Sequence, residues 1–153
     1  MKWQAKEIDL YLQAKEYVDT AIIPLVPISL EDDFKKTIQV GEFIALFCDE
    51  LEKQFKGRVF QFPPYTYIKK QNLYGCLEKL IELETYLKKY GFRHVIYLTS
   101  DSTWEQTESS ITQLIYISAI SLEELDKKQI TNELSKQVKQ LLPMLMNKWQ
   151  NES

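Results

Sequence analysis

Residues 21–28 read Ala21-Ile22-Ile23-Pro24-Leu25-Val26-Pro27-Ile28, a run with no polar side chain in it. A strand with one wet face alternates apolar and polar residues. An unbroken apolar run instead marks a strand covered on both faces, as in parallel sheets. The two prolines lack ladder donors, so an irregular strand ending near Pro27 is expected.

Outward from this strand the pattern alternates. From Phe34 the period turns helical, with Val40, Ile44, Phe47, Leu51 and Phe55 at three- and four-residue steps and Gly57 as the expected left-handed stop. Residues 58–62 predict a second strand, closed by Pro63-Pro64. A helix over 72–90 turns Leu73, Leu77, Leu80 and Leu87 inward and ends at Gly91, and residues 94–98 form a third strand. That strand empties into the polar loop Thr99-Ser100-Asp101-Ser102-Thr103-Trp104. A fourth strand is expected at 114–117, a capping box at Ser121-Leu122-Glu123-Glu124, and a last helix carrying Ile130, Leu134, Val138, Leu141, Leu145 and Trp149, with Pro143 as a kink. Before the first strand, residues 4–16 place Ile8, Tyr11 and Leu12 on one helical face. This order predicts an α/β fold with a mainly parallel sheet of about four strands and right-handed crossovers.

The length of 153 residues fits one domain, 1–153, with a real core. A net charge of −3, with lysines scattered in pairs such as Lys35-Lys36 and Lys69-Lys70, argues against nucleic acid as a partner. No apolar stretch approaches the roughly 20 residues of a membrane span, so no membrane is expected. The amphipathic, partly acidic N-terminus is unlike a signal peptide. Cys48 and Cys76 lack the spacing of a zinc or redox pair and read as buried residues in a reducing cytoplasm.

Ligands of such sheets bind outside the carboxyl ends of the strands, so residues 29–42, 63–67 and 99–104 converge on one rim. None of the four glycines forms the tight strand-to-helix turn of a dinucleotide or P-loop site. Ser100, Ser102 and Thr103 are nucleophile types, but the sole histidine, His94, opens its strand at the opposite end of the sheet. Glu31, Asp33, Glu42 and Asp101 remain as candidate ligands for Mg²⁺ or Mn²⁺. The same acids have a structural reading. Ser29 caps the helix, and Asp32 and Asp33 near its N-terminus each stabilise it by about 0.3–1 kcal/mol. Phe60 and Phe62 read as core, while Tyr65 and Tyr67 are expected at an exposed strand end, and Tyr65, Tyr67, Ser100, Ser102, Thr103 and Trp104 are the candidate pocket or partner contacts.

Ser29-Leu30-Glu31-Asp32-Asp33, the Pro63-Pro64 run, Tyr90-Gly91-Phe92-Arg93-His94 and the 99–104 loop recur in the order of the creatininase-like amidohydrolases, which this chain resembles. The resemblance implies a three-layer α/β/α sandwich of creatininase-like topology, shortened at the C-terminal side. It places Glu31 at a metal-ligand position, Asp33 and Asp101 where the family has histidines, and Glu42 where it has aspartate. The whole chain resembles the YpiF-type proteins of bacilli, a family without an assigned function. Catalysis near neutrality needs groups that exchange protons there, and this rim offers no histidine. The expectation is therefore a non-catalytic binding or interaction module with no cofactor, whose partner is a protein or a small molecule. Two alternatives are a metal-dependent, amidohydrolase-like enzyme with an all-carboxylate Mg²⁺ or Mn²⁺ site, and a scaffold that forms homo-oligomers.

Overall fold

The apolar run forms β1, Thr20–Ile28, and the rest of the sheet is built around it. The structure is a computed structural model that describes residues 1–70, 72–105 and 113–151. On one side β1 pairs first with β2, Val59–Gln61, and then with β3, Tyr65–Ile68. On the other side it pairs with β4, His94–Thr99, which pairs with β5, Leu114–Tyr116. All of these pairings are parallel, so the sheet is open, parallel and five-stranded.

The expected four strands omitted β3. Pro63-Pro64 interrupts the edge but does not end it, and the chain resumes pairing with β1 at Tyr65. β1 ends at Ile28, next to Pro27 as expected, but neither proline interrupts it. In a parallel strand alternate residues face alternate neighbours. Thr20 N–H donates to Arg58 and the carbonyls of Ile22 and Ile28 accept from Phe62 and Lys69, so even-numbered residues face the β2/β3 side. Pro24 thus faces the gap between β2 and β3. Pro27 faces β4, but beyond Pro24↔Leu98, where that register ends. Neither ring removes a ladder donor.

Helix α2, Phe34–Gln54, returns over one face and buries Phe43, Ile44, Phe47, Cys48 and Leu51. Its close approach to β1 requires Gly41, where a Cβ would lie 3.0 Å from Val26 Cγ1. On the same face lies α4, Lys127–Asn151, which contains Pro143 without ending there and buries Leu134, Val138, Leu141, Leu145 and Trp149. The opposite face is covered by α3, Leu73–Lys89, through Cys76, Leu77, Leu80 and Leu87. Both cysteines are free thiols in these cores.

Three local expectations are corrected. Residues 4–16 form a 3₁₀ turn and only a six-residue α1, Ile8–Gln13, which leaves Ile8 and Leu12 exposed while Tyr11 packs on Phe60 and Phe92. The capping box lies not at 121–124 but at the true start of α4. There Asp126 and Gln129 exchange backbone-to-side-chain bonds of 2.9 and 2.8 Å, the same reciprocal chemistry with Asp and Gln in place of Ser and Glu. Gly57 is not left-handed; Gly91 alone among the described residues has positive φ, at 104°. Around it Phe92 N–H bonds the Leu87 carbonyl and Gly91 N–H that of Lys88, the paired bonds of a Schellman stop.

Candidate functional site

Because the strands are parallel, their carboxyl ends lie on one edge, and the loops after β1, β4 and β5 meet the first turn of α2 there. Between them is a cleft of about 270 Å³. Pro27 of β1 closes one wall, Ser100, Asp101 and Ser102 another, and Tyr116 and Ser118 a third, while α2 contributes Lys36 and Thr37 and the chain after β3 contributes Lys69.

Asp101 is held at the base of this edge. It is 3% exposed, its Oδ2 accepts from the Tyr67 hydroxyl at 2.6 Å, and its Oδ1 accepts from Thr103 N–H at 3.1 Å, capping a 3₁₀ turn at Ser102–Trp104. Trp104 Nε1–H donates to the same Tyr67 oxygen at 2.7 Å, and the two rings meet edge to face. Burial, then the bond to Asp101 and its charge, push the Tyr67 hydroxyl pKa far up, so Tyr67 stays a neutral donor. The expectation of Tyr67 and Trp104 as exposed contacts is thereby corrected. They are buried, because β3 continues past Pro63-Pro64 and delivers Tyr67 under the 99–104 loop. Phe60 is buried as expected, with Phe62 packed beside it. Tyr65 is half-buried and faces α3 beside Leu83 and Tyr86, outside the cleft.

The other candidate acids are dispersed. Asp33 Oδ1 accepts from Ser29 Oγ at 2.6 Å and Oδ2 from Lys69 Nζ at 3.0 Å, and these partners hold its carboxyl below the usual value. Ser29 therefore fixes Asp33 rather than capping α2, and Asp33 makes no side-chain cap either. Glu31 pairs with Lys70 at 3.0 Å in solvent, and Glu42 is exposed on α2. Among the described residues no three His, Cys, Asp or Glu side chains are grouped to hold a metal ion. Ser100 Oγ donates to the Ile117 carbonyl at 2.6 Å, while Ser102 and Thr103 are exposed. His94 is buried at the opposite end of β4, in register with Thr20.

Sequence reasoning missed Lys36, Thr37 and Lys69 as cleft residues. Their only signal was two lysine pairs, Lys35-Lys36 and Lys69-Lys70, each placed just after an apolar strand segment. Thr37 is 2% exposed, and its Oγ1 has no hydrogen-bond partner among the described residues.

An open parallel sheet flanked by helices defines a parallel α/β protein, here with a polar cleft at its carboxyl edge. More particularly, residues 9–149 match the family described as "Protein of unknown function (DUF2487)", and the chain belongs to that family. It is 37% identical over 151 residues to "Uncharacterized protein YpiF" of Bacillus subtilis (strain 168), covering 97% of this chain and 98% of that protein. No solved structure matches the chain significantly. Among the described residues no helix is long and apolar enough to cross a membrane.

Proposed function

We propose that the carboxyl-edge cleft is a small-molecule binding site and that this chain is a non-catalytic binding module. The observation that carries the reading is the cleft itself: it lies where parallel sheets bind ligands, and its lining is polar without an acid–base pair. Asp101 has both carboxyl oxygens engaged by Tyr67 and Thr103, and Ser100 has its hydroxyl engaged by a carbonyl. On the creatininase-like likeness, the cleft occupies the inherited place of a metal centre. Glu31 and Asp33, at positions matching ligands, are paired instead to Lys70 and Lys69, which supports loss of the metal chemistry. The free, buried Cys48 and Cys76 support cytoplasmic residence.

The test is a thermal-unfolding screen of small polar compounds on the parent chain and on Ser102→Trp, which fills the cleft from an exposed position. Compounds that bind only the folded state raise its stability, and that rise should vanish in Ser102→Trp. The screen includes Mg²⁺ and Mn²⁺. A metal-dependent rise lost in Glu31→Ala would sink the non-catalytic reading in favour of the metal-dependent hydrolase. Self-association through helix faces is a separate matter, and a monomeric native mass at working concentration excludes it.

A further inference from the structure

We propose that the cleft selects a small anion, holding a carboxylate or phosphate group between Lys36 and Lys69 at the first turn of α2. The inference rests on reading the cleft as a binding site and assigns the class of its ligand.

Four features lead there. First, Lys36 lines the cleft and makes no ion pair among the described residues, so its charge is available. Second, Lys69 reaches the same space from the end of β3; its Nζ rests on Asp33 at 3.0 Å, at the margin of the cleft. A bound anion shares that ammonium with Asp33, as two acceptors can, since a lysine carries three donors. Third, α2 is 21 residues long and enters the cleft with its N-terminus uncapped by the Asp33 side chain. Phe34 N–H bonds Glu31 and Thr37 N–H bonds Asp33, but the amides of Lys35 and Lys36 have no partner among the described residues. Unsatisfied amides and the positive end of the helix dipole together favour an anion. Fourth, Thr37, in the next position, is a lining residue of the cleft, and its buried hydroxyl has no hydrogen-bond partner among the described residues. Unsatisfied buried hydroxyls are uncommon, and an acceptor oxygen on a ligand supplies what is missing.

The acid in the cleft does not cancel this. Asp101 keeps its charge, but its two oxygens are taken up by the Tyr67 hydroxyl and Thr103 N–H, which stabilise that charge rather than leaving it turned to a ligand. Asp33 is matched by Lys69, which leaves Lys36 and the helix end as the positive elements without an ion pair among the described residues. A volume of about 270 Å³ fits a small carboxylate or phosphate ester and not a nucleotide with its base enclosed.

Acetate and acetamide have nearly the same shape and differ in charge, so they separate an anion site from a general polar cleft. The ¹⁵N-labelled full chain is titrated with acetate, acetamide and inorganic phosphate at constant ionic strength. Acetate or phosphate should shift the amides of Lys36, Thr37 and Ser102 saturably, and acetamide should not. Lys36→Gln and Lys69→Gln should each weaken the anion about tenfold, the second more, because it also frees the Asp33 charge. Thr37→Val should weaken it several-fold while its melting temperature holds or rises, since a hydroxyl without a partner is removed. Saturable shifts with acetamide equal to those with acetate would overturn the anion assignment and leave the binding reading standing. Unchanged affinity in both lysine variants would overturn it as well. Silence from all three probes overturns it too, while the compound screen tests the binding reading independently.

Discussion

Replacing Tyr67 with phenylalanine deletes a single oxygen that two buried groups share. In the parent chain that oxygen donates to Asp101 Oδ2 at 2.6 Å and accepts from Trp104 Nε1–H at 2.7 Å. Trp104 is 1% exposed and Asp101 3%, so water does not readily take the place of the hydroxyl. Losing a hydrogen bond to a carboxylate costs about 1.5–3 kcal/mol, and a buried indole N–H left without an acceptor costs about 1–3 kcal/mol. The two overlap, because some relaxation serves both groups, and Asp101 keeps its bond to Thr103 N–H. The expected loss is about 3 kcal/mol. At this chain length each kcal/mol shifts the melting temperature by about 2–4 °C, which gives a fall of about 6–12 °C. Urea unfolding followed by near-ultraviolet circular dichroism reads the change at the Tyr67–Trp104 pair itself. Trp104→Phe alone and combined with Tyr67→Phe then gives the coupling between the two sites. A loss below about 1 kcal/mol in Tyr67→Phe, or strict additivity of the pair, would refute the claim that this oxygen is sealed and shared.

Alkali should destabilise the fold. Burial raises the Cys48 thiol and the Tyr67 and Tyr97 hydroxyls above their ordinary values of 9.0 and 10.0. Their protonated forms are favoured in the folded state, so that stability is whole below the ordinary values and falls as pH rises beyond them. A urea midpoint that stays flat from about pH 8 to pH 11 would contradict this burial. Asp33 has the opposite sign. Its hydrogen bond from Ser29, and then Lys69, lower its pKa from 3.8, so the stabilisation is present above that value and is lost as pH falls through the folded pKa. Asp33→Asn should therefore be less stable than the parent at neutral pH, with the difference shrinking as pH falls below the ordinary carboxylate value, as read by paired urea midpoints. The glycines give a further contrast. Gly91→Ala, at φ 104°, should cost about 1–2 kcal/mol, whereas Gly57→Ala, with open space around it and no positive φ, should be neutral or slightly stabilising in the same assay.

The sequence alone determined those features whose causes lie within a turn or two of chain. The unbroken apolar run named β1 and its burial on both faces, and the apolar steps of α2, α3 and α4 named the sides that became the two cores. Gly91 marked the end of α3, because a left-handed stop is local chemistry. The strand ends also pointed to the edge where the cleft lies, since parallel order places them together. What the tertiary structure decided are the pairings between distant segments. Trp104 sits in a polar loop by sequence, yet it is buried because β3, some 37 residues earlier in the chain, brings Tyr67 beneath it. Asp33 reads as a helix-start acid, yet its partner is Lys69, a residue 36 positions away. Side-chain burial and charge partners depend on which strands lie side by side, and that is fixed by burial of the whole sheet rather than by local propensity. The cleft between Lys36 and Lys69 exists only once β1 and β3 are paired.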